Sequence, residues 1–214
     1  MIEAYVWTTG NSRKVLIMLE ETGLDYKIRP IVLRNGDQFG PQFSVISPNN
    51  KTPAMVDSDG PDGAPMSLFE SGAILHYLAE KTGRFLPTAP DDHYRVMEWL
   101  MFQMGGVGPM FGQVNHFFGL SVEEDAAYGR ERYLKECHRL LGVLDKRLGT
   151  NDYVAGDFYS IADMATYPWC QGTDWRAEAL PDFPNVARWM AEIAKRPAVE
   201  RTDAIAAELR KSVA

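Results

Sequence analysis

The chain of 214 residues has little of what redox enzymes and metalloproteins usually carry in their own sequence. It contains two cysteines, Cys137 and Cys170, and no Cys-x-x-Cys pair. Both cysteines lie inside helical patterns, so we expect them to be buried and unpaired. The four histidines show no ligand spacing with one another or with the cysteines. We therefore expect no metal site, and any thiol–disulfide chemistry would have to take its sulfur from a bound ligand.

Positive charge and long apolar runs are also scarce. Lys and Arg number 22 against 29 Asp and Glu, which gives a formal net charge of −7. This balance disfavours nucleic acid or an anionic membrane as a main partner, because both need a basic face. No apolar run reaches the roughly 18 residues that a membrane helix needs. The first five residues lack the basic start and apolar core of a signal peptide, so we expect a cytoplasmic protein.

Two prolines between residues 86 and 92 separate two parts with different patterns. The first part predicts strands at 2–7, 26–33, 54–56 and 66–68, helices at 11–21 and 70–82, and a helical turn near 41–43. The second part predicts only helices, at about 92–117, 122–148, 161–176, 185–195 and 198–211. We predict an α/β plus all-α protein with domains at residues 1–86 and 92–214 and a linker at 87–91.

Two segments of the first part, 17 positions apart, point to a peptide ligand. Pro53 precedes an apolar run, where an X-Pro bond can be cis and leave the preceding backbone open to an extended peptide. Ser71 opens a helix, whose unpaired N–H groups favour an anion, and Glu70 beside it can hold an ammonium group. Alone, the proline would indicate a turn and the serine a helix cap. Together they predict a site for an amino acid joined to a short peptide.

These residues resemble the glutathione transferase superfamily, whose first domain has a thioredoxin-like fold. The resemblance implies that Thr52, in the segment before Pro53, binds the cysteinyl backbone of glutathione. It also implies that Glu70 and Ser71 bind the γ-glutamyl end and that Lys51 faces the glycyl carboxylate.

Two features of the second part extend the resemblance over nearly the whole chain. Ser160 and Asp163 have the spacing of a capping box, which is similar to one in the helical domain of the family. Residues 98–113 are rich in methionine and aromatic side chains, which at helical spacing are mostly core residues. Gly105, Gly106, Gly108 and Pro109 within that helical pattern predict a kink or a close approach. The stretch resembles the bacterial nu class, the yeast-prion-regulator-like branch of disulfide-bond oxidoreductases.

The loop between the first strand and the first helix predicts where sulfur would be activated, because a helix N-terminus stabilises a thiolate. Thr9 stands where related proteins have an activating serine or cysteine, and Asn11 follows it, a pair that resembles the nu class. Asn11 or Ser12 would otherwise be a simple helix cap. Tyr5 is the alternative activating residue, although its position within the strand predicts packing in the core.

Gln38 and Arg132 complete the set of site residues that the nu-class resemblance implies. Gln38 would help to bind the glycyl end of glutathione, and Arg132 would lie near the γ-glutamyl group. The alternatives are a solvated loop glutamine and a helix-surface arginine paired with a nearby acid.

The resemblance implies a homodimeric enzyme with glutathione as cosubstrate and small disulfides or electrophiles as substrates. Because the chain has no redox cysteine pair, we predict a glutathione-dependent disulfide oxidoreductase with weak transferase or peroxidase activity. A transferase that conjugates glutathione to electrophiles would use the same pocket. A non-catalytic glutathione-binding regulatory module would have a damaged sulfur site, and the threonine leaves that alternative open.

Overall fold

The computed structural model describes residues 1–120, 124–172 and 175–211. The chain divides into two compact units. The first comprises Met1–Leu86 together with the C-terminal segment from Ala194 onwards, and the second comprises Pro87–Ile193.

The first unit is built on a four-stranded mixed sheet with the strand order β2-β1-β3-β4. Strand β1 pairs in parallel with β2 and antiparallel with β3, and β3 pairs antiparallel with β4. The strands are β1 Ile2–Val6, β2 Tyr26–Pro30, β3 Ala54–Asp57 and β4 Met66–Phe69, and the helices between and after them are α1 Gly10–Thr22, α2 Pro41–Ile46 and α3 Ser71–Thr82. Because a parallel pair needs a crossover, α1 lies between β1 and β2 in the chain.

The two faces of β1 belong to different clusters. Ile2, Ala4 and Val6 are buried on one face. The apolar stripes of α1 and α3, which contact each other, supply buried residues at 15–19 and at 74, 75 and 78. Tyr5 points to the other face, since side chains alternate along a strand. There it packs near Phe43, with ring centroids 6.1 Å apart. The predicted packing of Tyr5 against the core is therefore confirmed.

Strand β2 ends at Pro30, three residues before the predicted end. The Ile31 N–H still donates to the Val6 carbonyl at 3.0 Å. The chain then turns, because the Asp37 carboxylate accepts from the Val32 N–H at 2.9 Å. Two short 3-10 turns, Leu33–Asn35 and Asp37–Phe39, follow.

The last helix, α10 at Pro197–Lys211, belongs to the first unit, whereas the sequence placed it with the second domain. It contacts α1. Three ion pairs join α1 to α10 and the residue before it: Arg196 with Glu21, Arg201 with Glu20, and Arg13 with Asp203. Helical periodicity identified α10 as a helix, but it carries no information about which unit that helix packs on.

The regular elements in the described part of the second unit are all helical. Its elements are α4 Pro90–Phe102, a π-helical turn at Gln103–Val107, α5 Gly108–Gly119, α6 Glu124–Leu148, α7 Ile161–Cys170, α8 Trp175–Ala179, a 3-10 turn at Leu180–Asp182 and α9 Pro184–Ala194. The helix predicted at 161–176 ends at Cys170, and residues 173–174 lie outside the described chain, as do the first residues of the helix predicted from 122. Within the described residues, no helix combines the length and apolar character needed to cross a bilayer.

The helix predicted at 92–117 is interrupted by the π-helical turn, which is the kink that the glycines and proline indicated. A Cβ at Gly108 would lie 2.9 Å from the Gln103 side chain. At Gly112 it would lie 3.6 Å from the Trp169 ring of α7. The lack of a side chain at Gly108 therefore makes room for Gln103 within the turn, whereas a Cβ at Gly112 would be in ordinary van der Waals contact with Trp169.

Helix α7 begins with the predicted capping box. The Ser160 hydroxyl accepts from the Ala162 N–H at 3.2 Å, and the Asp163 carboxylate accepts from the Ser160 N–H at 3.0 Å. Asp163 is fully buried. It also accepts from the Val154 N–H at 3.0 Å and from the Trp189 indole at 2.9 Å. One carboxylate therefore joins the loop before α7, the start of α7 and helix α9.

Candidate active site

One cleft of the first unit brings together six of the nine predicted site residues. They come from the start of α1, the loop before β3 and the junction of β4 with α3, and they are Asn11, Lys51, Thr52, Pro53, Glu70 and Ser71. Ser47, Asn49 and Phe69 also line the cleft and were not predicted. The enclosed volume is only ≈ 50 Å³, so a peptide would lie along the cleft rather than inside it.

The loop before β3 forms one wall of the cleft. The Thr52–Pro53 peptide bond is cis, as the sequence allowed. The Ser47 hydroxyl donates to the Lys51 carbonyl at 2.9 Å, which fixes the loop. Thr52 is 8% exposed, and within the described chain its buried hydroxyl oxygen has no hydrogen-bond partner. A buried polar atom without a partner costs free energy, which a ligand hydrogen bond would remove.

The start of α3 forms the opposite wall. Glu70 is exposed and adopts φ 70°, ψ 112°, a conformation that residues with a Cβ rarely adopt and that tends to occur at functional sites. Ser71, the first residue of the helix, is 2% exposed. The first N–H groups of a helix have no intrahelical partner and carry a partial positive charge. A carboxylate beside a helix N-terminus is complementary to the ammonium and carboxylate groups of an amino acid.

Lys14 lies beneath Ser71 and was not predicted. It is 1% exposed, and its Nζ donates to the Ser71 hydroxyl oxygen at 3.3 Å. Burial lowers the pKa of Lys14 to about 7, although the Glu70 carboxylate opposes that shift. The sequence contained a sign of this burial. Lys14 precedes Met18 by four positions, so it lies on the apolar stripe of α1.

Thr9 is the N-cap of α1, so neither Asn11 nor Ser12 caps this helix. The Thr9 hydroxyl accepts from the Ser12 N–H at 3.1 Å and also contacts the Ser12 hydroxyl at 3.1 Å. Ser12 in turn accepts from the Trp7 N–H at 3.1 Å. Asn11 lines the cleft, whereas Thr9 is not among the residues that line it. The helix start thus gathers a hydroxyl, an amide and the positive end of the helix dipole, which are groups of the kind that can stabilise an anion.

Tyr5 is unsuited to activate sulfur. Its hydroxyl donates to the Glu3 carboxylate at 3.0 Å. Burial, together with that hydrogen bond, raises the pKa of Tyr5. The Tyr5 hydroxyl therefore already donates its hydrogen to Glu3 and is a weaker acid than a free tyrosine.

Gln38 lies in the turn Asp37–Phe39. Its backbone carbonyl accepts from the Asn50 amide at 2.7 Å, which links the turn to the loop before β3. Its side-chain oxygen is buried and has no hydrogen-bond partner within the described residues. Gln38 does not line the cleft, but a buried amide oxygen without a partner differs from the solvated loop glutamine of the alternative interpretation.

Arg132 belongs to helix α6 of the second unit, where it lines a cavity of ≈ 680 Å³ with Tyr128 and Tyr133 among its neighbours. The nearby acid Glu136 binds Arg139 instead, at 2.8 and 2.7 Å. Within the described part of the chain, Arg132 makes no hydrogen bond or ion pair. Its charge nevertheless acts on Glu136, since Arg139 first and Arg132 as a smaller cause lower the pKa of that carboxyl, which agrees with the alternative interpretation of a helix-surface arginine near an acid.

Cys137 and Cys170 are buried and unpaired, as predicted. Burial raises the pKa of both thiols to about 12. Since the thiolate is the nucleophile, neither cysteine is reactive at neutral pH. Across residues 1–120, 124–172 and 175–211, no group of three or more His, Cys, Asp or Glu side chains is arranged to hold a metal ion.

The sequence matches two family models, the N-terminal domain of glutathione S-transferase over residues 10–81 and its C-terminal domain over residues 109–197. The disulfide-bond oxidoreductase YfcG of Escherichia coli is 46% identical over 199 residues, which cover 92% of each chain. The chain belongs to the glutathione S-transferase family. A second relative of this transferase, the disulfide-bond oxidoreductase YghU of Escherichia coli, is 40% identical over 94% of this chain and 73% of its own.

Solved structures of other glutathione transferases share the fold. One from Pseudomonas fluorescens, with two glutathione bound, has a TM-score of 0.90 and 46% identity and covers 94% of this chain and 91% of that one. Another from Pseudomonas putida, with one glutathione disulfide bound per subunit, has a TM-score of 0.89 and 45% identity over 94% and 90% of the two chains. The predicted architecture, a thioredoxin-like domain followed by a helical domain, is confirmed.

Proposed function

We propose that this glutathione transferase is a glutathione-dependent disulfide-bond oxidoreductase that reduces small disulfides. The observation that supports the proposal is the cleft of the first unit. It joins an extended segment before a cis proline to a helix N-terminus with an adjacent carboxylate, while the protein's own thiols are buried. The relatives YfcG and YghU are named disulfide-bond oxidoreductases.

In this proposal glutathione lies extended along the cleft. Glu70 holds the γ-glutamyl ammonium group, and Ser71 with the first N–H groups of α3 binds its carboxylate. The backbone at Thr52 pairs with the cysteinyl residue, as in strand addition, and the Thr52 hydroxyl gains the partner that it lacks. Lys51 and Gln38 face the glycyl end.

The start of α1 would stabilise the glutathione thiolate. A free thiol has a pKa of about 8.5 and is only a few per cent ionised at neutral pH. Lowering that pKa by about two units takes roughly 2.7 kcal/mol. Hydrogen bonds from Thr9 and Asn11, together with the helix dipole, are sufficient in magnitude. The hydroxyl oxygens of Thr9 and Ser12 lie 3.1 Å apart, and either hydroxyl can be the donor of this hydrogen bond. When Ser12 is the donor, the hydroxyl hydrogen of Thr9 can point to the sulfur.

The reaction needs two molecules of glutathione for each disulfide. The bound thiolate attacks one sulfur of the substrate, a mixed disulfide forms, and the other sulfur leaves as a thiolate that takes up a proton. A second glutathione thiolate attacks the glutathione sulfur of the mixed disulfide, which releases the second substrate thiol and leaves glutathione disulfide. Two glutathione thiols are oxidised and one substrate disulfide is reduced.

The first experiment measures reduction of hydroxyethyl disulfide with glutathione by the wild type and by the Cys137→Ser, Cys170→Ser variant. We expect equal rates, because both thiols are buried and the ligand supplies the sulfur. A folded variant without disulfide reductase activity would show that the protein's own cysteines react. A parallel assay with an aryl chloride separates this function from conjugation, for which we expect a lower rate.

The second experiment tests the sulfur site with the Thr9→Ala, Asn11→Ala variant. If the pKa of bound glutathione returns from about 6.5 to about 8.5, the thiolate fraction at pH 7 falls from about three quarters to about 3%, so turnover at saturating glutathione should fall by up to about 25-fold. The fall should shrink as the pH rises towards 9, where the free thiol ionises unaided. Unchanged turnover at pH 7 would remove Thr9 and Asn11 from the mechanism.

We also propose that the enzyme acts as a cytoplasmic homodimer and retains weak transferase or peroxidase activity, as the resemblance to the nu class implies. Sedimentation of the purified protein at micromolar concentration would give its mass. A 24.0 kDa monomer at that concentration would contradict the dimer and leave the chemistry of the cleft unaffected.

A further inference from the structure

The buried amine of Lys14 lies behind Ser71, a residue of the cleft wall where the proposed function needs an anion site. Its Nζ contacts Ser71, the first residue of α3, at 3.3 Å. Both side chains are almost completely buried, at 1% and 2% exposure. A buried ammonium group is unfavourable unless charge or hydrogen bonds compensate it. The carboxylate whose charge acts on it is Glu70, which is exposed and is assigned above to the ligand's ammonium group.

We propose that Lys14 is a positioning residue for the γ-glutamyl end of glutathione, acting through Ser71, and that the ligand carboxylate binds together with a proton on the Lys14 amine. This inference rests on the proposed function, since it concerns the same cleft. An ammonium group can only donate hydrogen bonds. Ser71 must then accept from Lys14, which turns the hydroxyl hydrogen towards other acceptors, including a carboxylate in the cleft.

A neutral amine would have the opposite effect on Ser71. It can accept the hydroxyl hydrogen, and the anion site would lose both a donor and a buried positive charge. Burial holds the pKa of Lys14 at about 7 in the free protein, so the amine is mostly neutral at pH 8. An anion bound against Ser71 favours the charged form and raises that pKa. Binding at pH 8 therefore takes up a proton.

Several other charged groups on the elements that pack against α1 are paired elsewhere. On α10 and just before it, Arg196, Arg201 and Asp203 bind Glu21, Glu20 and Arg13. On the sheet, Glu3 binds Arg29, and Asp57 binds Lys81 and Tyr77; on α3, His76 lies near Glu80. Glu70 is the acid whose negative charge favours the ammonium form of Lys14 in the free protein. A ligand carboxylate bound against Ser71 would favour the same form.

The test is calorimetric titration of the wild type with S-methylglutathione, which has no ionisable thiol, in two buffers of different ionisation enthalpy. The dependence of the heat on the buffer gives the protons taken up. We expect uptake close to one proton per site at pH 8 and close to none at pH 6. The ligand's own amino group contributes equally to the wild type and to variants, so differences between proteins report Lys14.

Three variants separate positioning from a structural role. Lys14→Met should take up no proton through this site and bind about 10- to 100-fold more weakly at pH 6, the loss of a charged hydrogen bond. Lys14→Arg, which is always charged, should keep the affinity and lose the proton uptake. Lys51→Met changes the exposed lysine of the same cleft, and it should weaken binding but retain the uptake.

Equal proton uptake by the wild type and Lys14→Met at pH 8 would overturn the inference, as would wild-type binding with no uptake between pH 6 and pH 8. Both results leave the proposed function intact, because S-methylglutathione still binds. Absence of any binding to the wild type would instead overturn the proposed function and this inference with it. Where Lys14→Met fails to fold, Lys14→Arg supplies the comparison that subtracts the ligand's own proton uptake, and equal uptake by that variant and the wild type at pH 8 overturns the inference.

Discussion

Helices α3 and α7 both begin at a buried serine with a carboxylate close by, but the surroundings of the two starts differ. At α7, Ser160 and Asp163 satisfy each other's backbone groups, and Asp163 accepts further hydrogen bonds from Val154 and Trp189. At α3, the N-cap Glu70 makes no capping hydrogen bond, is exposed and adopts a positive φ.

In the function that we propose, the same residue types serve structure at the start of α7 and binding at the start of α3. Polar groups that find all their partners within the chain hold the fold together. Groups that leave backbone donors, a carboxylate and a strained conformation at the wall of a cleft are available to a ligand. The following measurements separate effects on stability from effects on binding.

The largest effect is expected for Asp163→Ala at the start of α7, where the polar groups find their partners within the chain. The change leaves the Val154 N–H, the Ser160 N–H and the Trp189 indole buried without an acceptor. We expect the free energy of unfolding to fall by about 3–5 kcal/mol, in the range seen when a buried network is broken. Urea denaturation followed by circular dichroism measures this. A loss below about 1 kcal/mol would show that the network is not the main support of α7.

The next effect concerns Lys14 beside the start of α3 and the way in which the free energy of unfolding depends on pH. Lys14 has a folded-state pKa of about 7, below the value of about 10.4 in an unfolded chain. Between these values the unfolded chain binds more protons, so the contribution of Lys14 to the free energy of unfolding rises with pH from 7 to 10. The total rise is up to about 4 kcal/mol at about 1.4 kcal/mol per pKa unit. Denaturation of the wild type and Lys14→Met at pH 7 and pH 10 should show this rise only in the wild type, and parallel curves would contradict it.

The matched pair Ser71→Ala and Ser160→Ala tests the comparison directly. Ser160→Ala removes a cap and should cost about 1 kcal/mol of stability. It should leave the dissociation constant for glutathione unchanged. Ser71→Ala should leave stability within about 1 kcal/mol and weaken glutathione binding about tenfold, the worth of one hydrogen bond to a charged group. If both variants lost mainly stability, the start of α3 would be structural as well.

The smallest effect is expected for Glu70→Gly. A glycine adopts φ 70° without strain, and relief of that strain outweighs the backbone entropy that glycine adds to the unfolded state. We expect a gain of about 1 kcal/mol in the free energy of unfolding, with weaker glutathione binding. Glu70→Ala is the control, because alanine keeps the Cβ and should weaken binding without the gain. Equal stability of the two variants would show that the conformation at Glu70 carries no strain.

Much of the cleft could be predicted because its signals are local. A proline before an apolar run and a serine at a helix start can be identified from a few neighbouring residues. The predicted capping box at Ser160 and the interrupted helix around Gly108 were confirmed for the same reason. The end of β2 was predicted too late, because a hydrogen bond from Val32 to Asp37 turns the chain there.

Lys14 was overlooked because a lysine on an amphipathic helix normally extends to water with only its aliphatic part buried. Its burial depends on the way α1 and α3 meet, and no local pattern reports that contact. The assignment of α10 to the first unit rests in the same way on ion pairs between residues about 180 positions apart.

The sequence by itself determined the two kinds of domain, the scarcity of reactive thiols and the residue types around a peptide-binding cleft, because periodicity, composition and capping are properties of short stretches. Only the tertiary structure decided which polar groups find partners inside the chain. Contacts between segments far apart in sequence set that outcome. They give the polar groups at the start of α7 partners within the chain, leave those at the start of α3 at a cleft wall, and place a lysine beneath Ser71.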